Sequence, residues 1–129
     1  MLTENAYILF PQDTCKYNDV LGYADFSSNS SDIASNDFTY DYSKKGTKCC
    51  VALTGDIAND TTGTITVKIL DKDKTETVGK TILDADDLKN GKEVRVPFFT
   101  DKGGVNFTLK VTSTISKGGL YATLKHEVG

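Results

Sequence analysis

The sequence predicts a single all-β domain, an antiparallel β-sandwich of jelly-roll or Greek-key type with seven or eight strands. The chain has 129 residues, which is enough for one hydrophobic core and too few for two good ones. Its 14 Asp against 4 Glu, together with 17 Thr, 8 Ser and 11 Gly, favour strands and turns over helices. Apolar and polar residues alternate in short runs that turn residues separate at intervals of roughly 8–12 residues.

The first third of the chain has the weakest pattern. Residues 1–12 are predicted to form an N-terminal arm, with a short apolar strand over residues 5–10 that Pro11 ends. Residues 13–37 are predicted to be a long irregular segment, because their Ser-rich centre is typical of a loop. Loops of this length are often functional or mobile. Alternating aromatic residues then predict a strand over residues 38–42.

Six further strands follow from the alternation of apolar residues. They are predicted over residues 49–54, 64–70, 77–83, 93–99, 107–111 and 120–124. Pro97 cannot donate a ladder hydrogen bond, so its strand is expected at a sheet edge or at a bulge. Residues 84–90 are the single helical candidate, with Asp84 as the N-cap and Asn90-Gly91 as the end. Connections of unequal length favour a Greek key or jelly roll over an up-and-down barrel.

The three cysteines and the one histidine indicate no catalytic centre. Cys49 and Cys50 are adjacent, so on a strand they point to opposite faces and one of them is expected to be buried. A bridge from Cys15 to either of them is the alternative. His126 lies on a predicted strand and no nucleophile elbow occurs, so we expect a partly buried strand residue; a small β-fold enzyme that uses His126 is the alternative.

Two short motifs resemble ligand sites and fail on their spacing. Gly79-Lys80-Thr81 lacks the earlier glycine of a phosphate-binding loop. Asp71, Asp73 and Glu76 lack the glycine and the final glutamate of an EF-hand loop, so a solvated hairpin tip is expected. We therefore predict no enzyme activity, no catalytic residues, no metal site and no cofactor.

The charge pattern disfavours two classes of partner. Arg95 is the single arginine beside 14 lysines, and the net charge is −3, whereas nucleic-acid binders usually carry a basic face with arginine forks. No apolar segment approaches the roughly 20 residues that a membrane-spanning helix needs. The first residues lack the pattern of a secretion signal, so we expect a protein that stays where it is made. Neither direct nucleic-acid binding nor membrane binding is predicted.

Tyrosine is the aromatic residue that a carbohydrate-binding sandwich would use here, because Trp is absent. An aromatic platform could draw on Tyr7, Tyr17, Tyr23, Tyr40, Tyr42 and Tyr121. The alternative is that these rings pack in the core or in an interface, where each buried hydroxyl needs one partner. A carbohydrate-binding or host-attachment module of a virion is therefore one functional hypothesis.

The second half of the chain resembles a known family. A helical turn at Leu88 and Gly91 precedes Val94-Arg95-Val96-Pro97, then a strand with Phe107 and Leu109, then the run from Gly118 to Leu124. The start at residues 6–12 and the strand at residues 64–67 lie in matching places. This pattern is similar to the small capsid cement, or decoration, proteins of tailed bacteriophages, which are jelly-roll-like domains that commonly assemble as trimers on the outer capsid surface.

The resemblance implies a structural virion protein that stabilises a bacteriophage capsid. Its partners would be the major capsid protein and further copies of itself, as a homotrimer, and it would be made in the bacterial cytoplasm and reside on the capsid surface. Many copies that each bury a modest area would bind by avidity. The candidate interface residues are Leu2, Tyr7, Leu9, Phe10, Tyr17, Tyr23 and Phe26. The alternative for these residues is that they cover their own core.

Overall fold

A computed structural model of the chain describes residues 17–28, 31–34, 47–71, 75–100 and 107–126. These residues form eight strands and one 3-10 helix. The strands are β1 (Tyr17–Asp25), β2 (Ile33–Ala34), β3 (Thr47–Asp56), β4 (Thr64–Leu70), β5 (Thr77–Asp84), β6 (Glu93–Thr100), β7 (Thr108–Ser113) and β8 (Gly119–His126), and the helix (Ala85–Gly91) joins β5 to β6.

The strands form two four-stranded antiparallel sheets. The first sheet has the order β1-β8-β3-β6 and the second has the order β2-β7-β4-β5. Successive strands pass from one sheet to the other except at the β4–β5 hairpin, and this order is that of a jelly roll. The predicted all-β sandwich is confirmed.

The core lies between the sheets and takes alternate residues from each strand. In β4, Ile65, Val67 and Ile69 are fully buried, while the residues between them are partly or fully exposed. Leu53 of β3 and Leu120 of β8 close the core from the other sheet. Full burial of such a side chain stabilises the fold by about 1.5–3 kcal/mol.

The strands predicted after residue 48 are all present, with ends that differ by a few residues. β4 has the predicted bounds, and β6 is an edge strand of the first sheet, as Pro97 predicts. The short helix is also confirmed. The backbone N–H of Asp84 donates to Asp87 Oδ2 at 2.9 Å, and Asn90, with a φ of 62°, turns the chain where the helix was expected to end.

The prediction of an irregular segment over residues 13–37 is wrong for β1 and β2. β1 pairs with β8 along its whole length, and its register shifts between Val20 and Gly22. A bulge of this kind inserts one extra residue and breaks the alternation of apolar and polar positions. The sequence pattern of a regular strand is therefore missing from β1.

Several other predictions concern residues that the structure does not describe. These are the arm over residues 1–12, the strands over residues 5–10 and 38–42, and any bridge from Cys15. Cys50 is buried, as expected for one of the adjacent cysteines. Asp71 supports the structural interpretation of its hairpin, because its carboxylate accepts the backbone N–H of Thr75 at 2.7 Å and the Thr75 hydroxyl at 2.8 Å.

Candidate functional site

The exposed aromatic residues of the described chain meet on the outer side of the first sheet. β1 and β8 pair so that Tyr23 lies directly opposite Tyr121. Ala24 of β1 and Leu120 of β8 point into the core, so Tyr23 and Tyr121, at the neighbouring positions, point outward. We call Tyr23, Tyr121, Gly119 and Asp56 the tyrosine face.

The two tyrosine rings are in contact and remain open to solvent. Their centroids are 4.6 Å apart and their planes are inclined at 49°. Tyr23 is 41% exposed and Tyr121 is 51% exposed. Aromatic pairs at this separation stabilise each other by about 0.5–1.5 kcal/mol beyond the area they bury. The pair is therefore held in place while each ring still offers apolar surface to a ligand.

Gly119 gives Tyr23 its position. A Cβ atom at residue 119 would overlap the end of the Tyr23 ring and the carbonyl oxygen of Ala24. The ring therefore lies across the bare backbone of β8 and reaches toward β3. Gly119 pairs with Asp56 of β3, so the sheet register places a carboxylate beside the tyrosine hydroxyl.

Two carboxylates border the rings. The Tyr23 hydroxyl donates a long hydrogen bond of 3.4 Å to Asp56 Oδ2. Partial burial, and then the negative charges of Asp56 and Asp25, raise the pKa of Tyr23 above its usual value of 10.0. Asp25 accepts both the backbone N–H of Ser27 at 3.0 Å and its hydroxyl at 2.7 Å, and these hydrogen bonds lower the pKa of the Asp25 carboxyl. The raised pKa keeps the Tyr23 hydroxyl uncharged at neutral pH, beside the negative charges of Asp56 and Asp25.

The solvent-exposed apolar part of this outer surface lies toward one edge of the first sheet. Cys50 and Ala52 also point outward from β3, because Val51 and Leu53 point into the core, and both are nonetheless buried. At the other edge, Val20 of β1 is 85% exposed. The accessible apolar surface therefore runs along β1 and β8 and ends at Asp56.

The arrangement suits a ligand that has both an apolar side and hydroxyl groups. Ring faces take up the C–H surface of such a ligand, and carboxylates accept hydrogen bonds from its hydroxyls. The inclination of 49° lets one flat ring of a ligand lie on one tyrosine at a time. Asp56 and Asp25 repel anionic ligands.

The candidate residues that the sequence offered have different places in the structure. It brings Tyr23 and Tyr121 together and places Phe26 in the core, where packing accounts for it. The backbones of Tyr17 and His126 pair with each other at the ends of β1 and β8. The remaining candidates, Leu2, Tyr7, Leu9, Phe10, Tyr40 and Tyr42, lie outside the described residues. Asp56 and Gly119 were missed, and the signal that bears on Gly119 is its position at the start of the strand that carries Tyr121.

Neither a metal centre nor a membrane-spanning helix is found in the described ranges. No cluster of three or more His, Cys, Asp or Glu side chains there has a geometry that could hold a metal ion. The helix that is described is too short to cross a bilayer.

Comparison with known proteins gives structural likenesses alone. No protein-family model matches the chain, and no curated protein matches it. Among solved structures, the chain is similar to a CBM6 module of Clostridium stercorarium in complex with cellobiose, at 9% identity and a TM-score of 0.45, with 93% of this chain and 92% of that chain covered.

Two further structures show the same level of likeness. The C-terminal CBM6 of the Zobellia galactanivorans laminarinase LamC gives 9% identity and a TM-score of 0.48 over 97% of this chain and 96% of that one. A CBM22 xylan-binding domain of Paenibacillus barcinonensis gives 12% identity and a TM-score of 0.33 over 88% and 98%. All of these TM-scores lie below 0.5, so the sandwich assignment stands on the strand pairing of this chain.

Proposed function

We propose that this protein is a binding module, rather than an enzyme, and that it recognises neutral carbohydrate through the tyrosine face. The observation that carries the proposal is the contact between Tyr23 and Tyr121, two exposed rings held 4.6 Å apart on the outside of a sheet. Exposed aromatic rings that are held in place offer apolar surface for the C–H side of a sugar, while their hydroxyls can form hydrogen bonds.

The carboxylates define which carbohydrates fit. Asp56 and Asp25 can accept sugar hydroxyls, and they repel the carboxylates and sulfates of acidic sugars. The ligand is therefore a neutral oligosaccharide or polysaccharide. The two exposed rings lie side by side on the outer side of the sheet, which favours contact with the side of a sugar chain, one or two sugar units at a time.

A panel of neutral and acidic glycans tests this proposal. We expect saturable binding to a neutral glycan and a loss of about ten-fold in affinity for Tyr121→Ala, the size of one ring contact. Tyr121→Phe keeps the ring and should lose much less. The matched control is Ile82→Ala, which removes a side chain that is 46% exposed on the other sheet.

Two results would overturn the carbohydrate proposal. The first is the absence of saturable binding to every neutral glycan on the panel. The second is an equal loss of binding for Tyr121→Ala and Ile82→Ala, because the ring would then have no specific role.

The resemblance to capsid decoration proteins supports a second proposal, that the protein binds a bacteriophage major capsid protein and itself on the virion surface. Val20 favours it, because this aliphatic side chain is 85% exposed on the strand that carries Tyr23, and a protein partner would bury both. Native mass measurement and co-sedimentation with assembled capsids test it. Val20→Asp should abolish capsid binding and leave glycan binding intact, whereas a monomer that ignores capsids would exclude this proposal.

A further inference from the structure

The outer side of the second sheet carries a row of three lysines. Lys68 of β4 lies directly opposite Lys80 of β5 on one side and directly opposite Lys110 of β7 on the other. All three point away from the core, because Val67, Ile69 and Val111 fill the alternate positions. We call Lys80, Lys68 and Lys110 the lysine row.

The register fixes the spacing of the lysine row. Adjacent strands lie about 4.7–4.9 Å apart, so the three side chains leave the sheet at that interval along a line perpendicular to the strands. Like charges that lie directly opposite each other on a sheet destabilise it. In the part of the chain that the structure describes, none of the three lysines forms an ion pair that would offset this repulsion.

A polar groove continues from one end of the row. It has a volume of about 470 Å³, and its lining includes Lys110, Phe26 and Val111. The hydroxyl and carboxylate groups around it belong to Ser28, Ser31, Asp32, Thr112 and Ser113. Ser31 Oγ donates a hydrogen bond to the carbonyl of Val111 at 3.1 Å, and Asp32 Oδ1 accepts one from the backbone N–H of Val111 at 3.2 Å. This wall of the groove is therefore hydrogen-bonded to β7.

We propose that the lysine row and this groove bind an acidic polysaccharide, a polymer that carries carboxylates on hydroxyl-rich sugar units. The ammonium groups pair with carboxylates that lie across the strands, and the groove beside Lys110 takes the hydroxyls of a neighbouring sugar unit. Asp32 keeps carboxylates out of the groove and over the row. The net charge of the whole chain is −3, so the attraction is local to this face.

The chemistry of the face favours a polysaccharide over a nucleic acid. Proteins bind single-stranded nucleic acid by stacking bases on aromatic rings, and they read duplexes with arginine forks. Among the described residues, the outward positions of β4, β5 and β7 hold lysine, threonine and aliphatic residues, with Asp84 at the end of β5, and the single arginine of the chain lies on the other sheet. The described face therefore offers charge and hydroxyls without a stacking surface.

Binding to polygalacturonate tests the proposal on the full chain. Lys68→Gln/Lys110→Gln should lose affinity by about 25-fold, at about five-fold for each lysine near an anionic surface. The matched control is Lys92→Gln/Lys117→Gln, which removes the same charge from exposed positions outside the row and should stay within about two-fold. Affinity should also fall as salt rises from about 50 to 200 mM, with a smaller slope for the row variant.

Matched ligands separate the remaining outcomes. Methyl-esterified polygalacturonate has the same backbone without charge, so any binding that it shows should be the same for the wild type and the row variant. Tighter binding to single-stranded DNA than to polygalacturonate, or equal losses in the row and control variants, would overturn the proposal. This inference is independent of the tyrosine face, because Tyr121→Ala should leave polygalacturonate binding unchanged and the row variant should leave neutral-glycan binding unchanged.

Discussion

The two outer faces of the sandwich differ in kind although one core supports both. The tyrosine face is compact, with two rings and a carboxylate at one end of β1 and β8. The lysine row runs across three strands of the other sheet and carries positive charge. Because inward residues alone hold the sheets together, alternate outward positions are free to carry unrelated chemistry.

The faces also differ in what they do to the stability of the fold. Tyr23 and Tyr121 attract each other and Tyr23 covers Gly119, so the tyrosine face stabilises the strands that carry it. The three lysines repel each other, so the lysine row weakens the sheet on which it lies. The lysine row lowers the stability of the fold, and its charges form no ion pair within the described chain. Binding of a ligand therefore explains the row better than folding does.

A change in the shared core should affect both faces together. Leu53 is fully buried between the sheets, and Leu53→Ala should lower the free energy of unfolding by about 2–5 kcal/mol. Urea denaturation with each ligand in turn measures the effect. Val20→Ala, at an exposed position, is the control and should change it by less than about 0.5 kcal/mol. A Leu53→Ala protein that lost one ligand and kept both its stability and the other ligand would show that the faces do not depend on one core.

A change beneath the tyrosine ring should affect one face alone. Gly119→Ala places a Cβ where the Tyr23 ring lies, so the ring must move, and unfolding should become easier by about 1–3 kcal/mol. Neutral-glycan binding should fall while polygalacturonate binding by the folded protein stays the same. Calorimetry with both ligands checks this, and unchanged glycan binding would mean that the position of Tyr23 is unimportant.

Removal of the central lysine should make the protein more stable. Lys68→Gln relieves repulsion from Lys80 and Lys110 and should raise the free energy of unfolding by about 0.2–1 kcal/mol at low salt. The gain should shrink in high salt, because ions screen exposed charges. Lys92→Gln is the control at a position outside the row. A salt-independent change would mean that packing of the lysine stem, and not charge, is responsible.

The smallest effect concerns the proton of Tyr23. Its pKa is raised by partial burial and by Asp56, so Asp56→Asn should move that pKa back toward 10.0 in an NMR titration. The raised pKa stabilises the fold fully below pH 10.0, the value of the unfolded chain, and this contribution is lost as pH rises through the folded pKa. Tyr23→Phe should therefore flatten the fall in stability at alkaline pH. An unchanged Tyr23 titration in Asp56→Asn would exclude the carboxylate as a cause.

Much of the fold could be predicted from the sequence, because the local alternation of apolar and polar residues marks most of its strands. Ile65, Val67 and Ile69 mark β4 without reference to any other strand, and Pro97 marks an edge through a missing donor. β1 was missed because its bulge between Val20 and Gly22 removes the alternation, although its pairing with β8 is complete. A bulge is stabilised by the partner strand, which a local pattern does not contain.

Neither face could be derived from the sequence because each depends on register. Tyr23 and Tyr121 were both named as aromatic candidates, yet their contact requires β1 to pair with β8 across nearly the whole described chain. Lys68, Lys80 and Lys110 form a row in one alignment of three strands, and a shift by one residue would turn each of them to the other face. Tertiary pairing, and not residue type, assembles both sites.

The pairing of β1 with β8 also sets an order of events during folding. Contacts between residues that are distant in sequence form slowly, because the intervening chain must lose entropy first. The β4–β5 hairpin can form as soon as residue 84 has left the ribosome, whereas β1 must wait for residues 119–126. The tyrosine contact is therefore among the last to form, and its fluorescence would time the completion of the sandwich in a refolding experiment.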